Sequence, residues 1–151
     1  MDRRCFILLA STWVMGPQVV AAATREIWSA AETADALAQN RISLIDVRSR
    51  PEWVETGVAK AAWPISMHEP VFEQRLFAAR DFSGEKPIAL ICATGGRSGR
   101  LLSALKRADY TGFIDVSEGM LGSQKGPGWI ARGLPVTDLE AALASLPGVL
   151  R

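Results

Sequence analysis

Two short apolar runs, Ile42 to Val47 and Pro87 to Ile91, constrain this chain most. Each is too short for a helix and nearly continuous in its apolar character, which suits a strand buried on both faces. The runs alternate with helical patterns. Residues 29–40 form an Ala-rich segment with Ser29 and Glu32 at capping-box spacing. Pro51 and two acids open a short helix that Gly57 stops. Val71, Phe72, Leu76, Phe77 and Ala79 share one helical face, and a further helix is expected from Ser98 onward. A last helix is expected over "TDLEAALASL", with a second capping box at Thr137 and Glu140. Shorter strands fit "REIW", "GFIDVSEG" and "AAWPIS", the last at or near a sheet edge because Pro64 interrupts it. Strands alternating with helices predict an α/β fold with a central, mainly parallel sheet.

In such a sheet, ligands bind at the carboxyl ends of the strands. Asp46 and Arg48 end one apolar strand and Cys92 ends the other, so all three are expected on one rim. For Asp46 and Arg48 a solvated loop end or a structural ion pair is the alternative to a direct role. The 151 residues are 48% hydrophobic, enough for one compact domain with a core, and no linker-like stretch divides them after the first two dozen. A net charge of +1 points to neither nucleic acid nor an anionic membrane surface as partner.

The N-terminus reads as an export leader. "MDRR" supplies positive charge, "CFILLASTWVM" an apolar stretch too short to span a bilayer, and Ala21 and Ala23 an A-x-A cleavage site. Residues 1–23 are therefore expected to be removed, leaving one domain over 24–151, located most simply in a bacterial periplasm with no permanent membrane anchor. "RRCF" also resembles a twin-arginine signal, so two export routes stay open. Cleavage would take Cys5 with it and leave Cys92 as the sole cysteine of an exported protein, where cysteines are normally paired.

The segment after Cys92, "ATGGRS", gives that thiol a physical role. Gly95 and Gly96 permit positive φ and close approach, the condition for a nest of inward backbone N–H donors. The following helix N-terminus adds positive potential at the same point. Both favour thiolate over thiol, and the thiolate is the nucleophile. Arg97 adds a fork of donors able to hold an anionic group beside the sulfur. An inert buried thiol is the alternative, but such a residue needs none of these neighbours.

Three segments together resemble the rhodanese superfamily, specifically its single-domain members. "LIDVRSRPEWVETGVAKAAWPIS" is similar to the family's Asp-Val-Arg strand end with its acidic short helix, glycine and proline-containing strand. "CATGGRSGRLLSAL" resembles the C-x-x-G-x-R active-site loop and its helix, and "VSEGMLGSQKGPGWIARGLPV" the terminal Glu-Gly, Trp and Gly-Leu-Pro-Val signature. The resemblance implies a three-layer fold with helices on both faces of the sheet. It also implies a sulfurtransferase, using a Cys92 persulfide, a thiosulfate-like donor and a thiol or cyanide acceptor, with a protein acceptor also possible. In that role the loop Ala93, Thr94, Gly95, Gly96 and Arg97 would hold the persulfide, Arg97 the donor's sulfonate end, and Asp46 and Arg48 would organise the pocket rim.

Four residues, Ala93 to Gly96, separate Cys92 from Arg97. Phosphatases and arsenate reductases of the same fold carry one residue more, so the smaller ring favours a single added sulfur over a tetrahedral oxyanion. Two departures from the family pattern stand out: Val58 and Lys60-Ala61 replace a histidine and a Gly-Ala pair, and "LGSQKGPGW" (Leu121 to Trp129) is longer than usual. The glycines of that insertion suggest flexibility, and it reads either as a lid or docking loop or as a solvated insertion. His68 is expected at the surface, and Trp28, Trp53, Trp63 and Trp129 in core or rim packing. No cofactor fingerprint or metal-ligand cluster is visible. The competing readings are a sulfur carrier or partner-binding module without fast turnover, and oxyanion chemistry of the phosphatase or arsenate-reductase kind.

Overall fold

A computed structural model describes residues 25–151. The expected leader, residues 1–23 with Cys5 and the cleavage site, lies outside the described residues. In chain order the elements are β1 (Ile27–Trp28), α1 (Ala30–Ala38), β2 (Ser43–Asp46), α2 (Arg50–Thr56), β3 (Val58–Ala59) and β4 (Trp63–Pro64). They continue with α3 (Phe72–Ser83), β5 (Ile88–Ile91), α4 (Gly96–Arg107), β6 (Phe113–Val116), α5 (Gly128–Ala131), β7 (Val136–Thr137) and α6 (Leu139–Ala144).

Five strands form a parallel sheet in the order β1-β6-β5-β2-β4. The two apolar runs, β2 and β5, are neighbours near its centre and buried at every position. Alternation along them feeds two cores. Leu44, Ala89, Ile91, Ile114 and Val116 face one layer, with Ala30 and Ala36 of α1 and Trp53 of α2. Ile45, Val47, Ile88, Leu90, Cys92 and Phe113 face the other, with Leu76 of α3 and Leu102 and Leu105 of α4. Helices cover both faces, which is the three-layer α/β arrangement expected. Pro64 sits in β4 at the sheet edge, where a missing N–H disrupts no ladder.

Three local expectations need correction. Helix α4 begins at Gly96 and not at Ser98, so Arg97 belongs to its first turn. The last helix is capped by Asp138, whose side chain accepts from the Ala141 amide, and not by Thr137. Thr137 is instead held in an antiparallel pair of β7 with β3, with Thr137 opposite Val58, and this small second sheet carried no signal in the sequence. The Gly-rich insertion is also no free loop. Leu121 N donates to Ala93 O at 2.8 Å, Ser123 Oγ to Ser117 O at 2.9 Å, and Gly128 N to the buried Glu118 carboxylate at 3.0 Å. Its end winds into α5, which buries Trp129. The glycines serve close packing there: a Cβ on Gly126 would lie 2.5 Å from the Glu118 carboxyl carbon.

Candidate active site

The register of β2 against β5 sets Asp46 opposite Ile91, so the carboxyl ends of the two strands coincide and Cys92 emerges beside them. Cys92 is 1% exposed. Its loop is held from the β6 side: Met120 N donates to Cys92 O at 2.9 Å and Leu121 N to Ala93 O at 2.8 Å. Gly119, between the buried Glu118 and these donors, packs so closely that a Cβ would come within 2.4 Å of Ala93 O. Glu118 in turn accepts both Nε and Nη2 of Arg132 at 2.8 Å, which draws its carboxyl below the ordinary range.

Three donors converge on the sulfur. Gly95 N lies 3.1 Å from Sγ, Ser98 Oγ 3.3 Å and Ser98 N 3.5 Å. Gly95 achieves this by adopting φ 80°, ψ −11° as the residue capping α4. Gly96, expected to share that conformation, is instead the first helical residue, without positive φ. The amides of Gly96 and Arg97 belong to the first turn of α4, ahead of its i→i−4 ladder, and so have no intrahelical acceptor. Such a ring of donors stabilises negative charge at a fixed point.

Gly95 also rests against Ser117, where an added Cβ would lie 2.1 Å from the carbonyl oxygen. Gly95→Ala therefore combines left-handed strain with a backbone collision. It is expected to cost about 2–3 kcal/mol in urea unfolding and to slow Cys92 alkylation. Gly96→Ala, whose Cβ would meet only Arg100 Nη1 at 4.0 Å, serves as the silent control.

Asp46 and Arg48 form a buried pair at 0% and 1% exposure. Arg48 Nη2 donates to Asp46 Oδ2 at 2.7 Å and to Gly57 O at 2.7 Å, and Nη1 donates to Thr56 Oγ1 at 2.8 Å. The pair thereby ties the C-terminal end of α2 to the end of β2. Helix α2 presents Glu52, which does two jobs. It completes a capping box with Ser49 and accepts from Arg97, Nη1 to Oε2 at 3.0 Å and Nη2 to Oε1 at 2.5 Å. These hydrogen bonds, those from Arg97 first, hold the Glu52 carboxyl at about 2 and raise Arg97. His68, expected merely at the surface, stands at the same rim with Nε2 3.4 Å from Arg97 Nη1.

The structure thus gathers Cys92, the loop Ala93 to Gly96, and Arg97 at one point, with Asp46 and Arg48 just behind it. Glu52 and Ser98 belong to the site and were not singled out from the sequence. Ser98 could have been suspected from its place directly after Arg97, but Glu52 could not, because in the sequence it is only one of two acids in a short helix. Among the described residues no cluster of three or more His, Cys, Asp or Glu side chains is placed to hold a metal ion.

Comparison with known proteins agrees with this geometry. The polysulfide-sulfur transferase homodimer of Wolinella succinogenes superposes with a TM-score of 0.53 at 26% identity, covering 76% of this chain and 79% of that one. Rv0390 from M. tuberculosis gives a TM-score of 0.53 at 25% identity, covering 74% and 96%. A comparison with curated proteins finds no match. The family model for the rhodanese-like domain matches residues 29–125, a span that runs from the cap of α1 through the cysteine loop and into the Gly-rich segment. On that match and the parallel sheet that carries the loop, the chain belongs to the rhodanese-like domain family.

Proposed function

We propose that this protein is a sulfurtransferase that takes a sulfane sulfur from a thiosulfate-like donor onto Cys92 and passes it to a thiol or cyanide. The observation that carries the reading is the convergence of Gly95 N, Ser98 N and Ser98 Oγ on Sγ within 3.5 Å. The Cys92 thiolate attacks the outer sulfur of the donor, whose S–S bond breaks and releases sulfite with the electron pair. The resulting persulfide anion sits among the loop amides. An acceptor thiolate or cyanide then attacks the outer sulfur and regenerates the Cys92 thiolate, a two-step exchange through a covalent intermediate. The similarity to a polysulfide-sulfur transferase supports the reaction class, and a polysulfide chain satisfies the same attack as thiosulfate. Thiocyanate release from thiosulfate and cyanide, together with a gain of one sulfur atom in the intact mass after donor treatment, tests the reading. A persulfide without turnover would indicate a carrier, and neither signal with any sulfane donor would refute sulfur transfer. The same spectrum reports whether residues 1–23 are removed on export to the periplasm, which belongs to this proposal.

The Glu52–Arg97 pair makes a further expectation specific. A donor sulfonate reaching Arg97 competes with the Glu52 carboxylate. Glu52→Gln keeps the capping box, which accepts Gln, and removes the competing charge. KM for thiosulfate is expected to fall about fivefold, the scale of an ion pair worth about 1 kcal/mol, while a sulfane donor without a sulfonate is unaffected. Because Glu52 titrates near 2, the effect is constant between about pH 5 and pH 9. Its contribution to folding is present above the ordinary carboxyl value of 4.5 and is lost as pH falls toward 2.

A further inference from the structure

The chain that leaves β4 brings a third side chain to Arg97. Beyond Pro64 it keeps running beside the end of β2: Ile65 N donates to Asp46 O and Met67 N to Val47 O, each at 3.1 Å. The buried Ser66 then turns it, its Oγ accepting from His68 N at 3.2 Å and its carbonyl from Glu69 N at 3.1 Å. Such a serine turn fixes the backbone without help from a regular element. His68, the sole histidine of the chain, is thereby set with Nε2 3.4 Å from Arg97 Nη1. Its neighbour Glu69 is engaged elsewhere, by Arg75 Nη1 at 2.6 Å.

A guanidinium has N–H donors only and does not lose its proton in a protein. The contact is attractive only when His68 Nε2 offers a lone pair, which puts the ring proton on Nδ1. Among the described residues no other hydrogen bond to the ring competes with this tautomer. Of the five N–H protons of Arg97, Glu52 takes two, Nη1 to Oε2 at 3.0 Å and Nη2 to Oε1 at 2.5 Å, which fills the end of the fork. His68 faces Nη1, whose second proton it accepts. The two that remain, on Nε and Nη2, lie side by side on one edge of the plane. Two parallel N–H groups of this kind match two oxygens of one sulfonate or carboxylate.

We propose that His68 is a positioning residue: its neutral Nε2 holds Nη1 of Arg97, so that the guanidinium presents its Nε–Nη2 edge to the anionic end of the donor while Glu52 keeps the end of the fork. The ion pair by itself is 24% and 29% exposed, and a pair so placed fixes a geometry only weakly. A third contact outside that pair fixes the plane of the guanidinium, which is what a bidentate match to an oxyanion requires. The proposal depends on the sulfur-transfer reading only for which anion arrives. The Glu52 charge still opposes that anion from the neighbouring edge, so the effect expected of Glu52→Gln is unchanged.

Two measurements on the whole, untagged protein test this, and neither uses a sulfur donor. Because His68 is the only histidine, the long-range proton–nitrogen spectrum of uniformly labelled protein carries a single imidazole. At about pH 8, where an ordinary imidazole is neutral, Nε2 should give the unprotonated signal and Nδ1 the protonated one, and Arg97→Ala should lose that bias. A proton on Nε2 in the native protein, or the same pattern in Arg97→Ala, would overturn the proposal. The second measurement is the ratio of Cys92 alkylation rates with iodoacetate and with iodoacetamide, read by peptide mass. The reagents differ by a carboxylate, so the ratio reports how Arg97 receives an anion and cancels changes in the thiol itself. His68→Phe keeps a ring without an acceptor and should lower the ratio about threefold, the scale of an exposed polar contact. His68→Gln, which supplies a neutral acceptor oxygen in place of Nε2, should restore most of it. An unchanged ratio in His68→Phe, or an equal loss in His68→Gln, would also overturn the proposal. Both results as expected, with no sulfur moved by any donor, would uphold the role of His68 and refute only the sulfur-transfer reading.

Discussion

Cys92→Ser is expected to abolish thiocyanate formation, a loss on the order of a thousandfold or more, and to eliminate the one-sulfur mass gain with every sulfane donor. The hydroxyl that replaces the thiol can accept the Gly95 and Ser98 hydrogen bonds that now end on Sγ, so the loop keeps its donors. The oxygen is smaller than sulfur in a site that is 1% exposed, and the main-chain ties from Met120 and Leu121 to the loop do not involve the side chain. Stability should therefore change little, and unfolding curves of the two proteins should nearly coincide. What disappears is the nucleophile: an alkoxide is not available near neutral pH, and no S–S bond can form at oxygen. Activity surviving in Cys92→Ser would move the chemistry away from this loop altogether.

The largest stability effect should come from a residue that never touches the donor. Arg48→Met leaves Asp46, at 0% exposure, without its guanidinium, and leaves Gly57 O and Thr56 Oγ1 without the donors that hold α2. Breaking a buried pair by removing one member costs about 3–5 kcal/mol, seen as a lower urea midpoint with an unchanged slope. The double change Asp46→Leu, Arg48→Met removes the stranded charge and should recover much of that loss. Recovery of stability without recovery of the Glu52–Arg97 contact would show as a KM for thiosulfate that stays altered. This would separate the pair's contribution to folding from its placement of α2. Equal unfolding midpoints for Arg48→Met and native protein would contradict the role assigned to the pair.

Both expectations turn on features of unequal visibility. The strands at Ser43–Asp46 and Ile88–Ile91 were legible because an apolar run of that length, between helix caps, has few other uses. The capping box of Ser29 and Glu32 was equally plain, since both partners lie within four residues. The box proposed for Thr137 failed for a non-local reason: Val58, far back in the chain, claims that residue for a ladder. Glu52 shows the same limit within the site. In the sequence it is only one of two acids in a short helix, while its bond to Arg97 spans 45 positions and depends on how α2 sits against α4. The Gly-rich segment misled because glycine composition looks the same whether it provides freedom or close contact.

By itself the sequence determined the α/β alternation, the burial of the central strands, the position of Cys92 at a strand end and the four-residue loop to Arg97. Those are matters of periodicity and short spacing, which the backbone enforces locally. Only the tertiary structure decided that Gly95 and not Gly96 turns left-handed, that Arg97 is held by Glu52, and that the buried Asp115 lies against Gly99 of α4. Each of these depends on which faces of distant segments are pressed together, and packing across the sheet is set by the whole core at once.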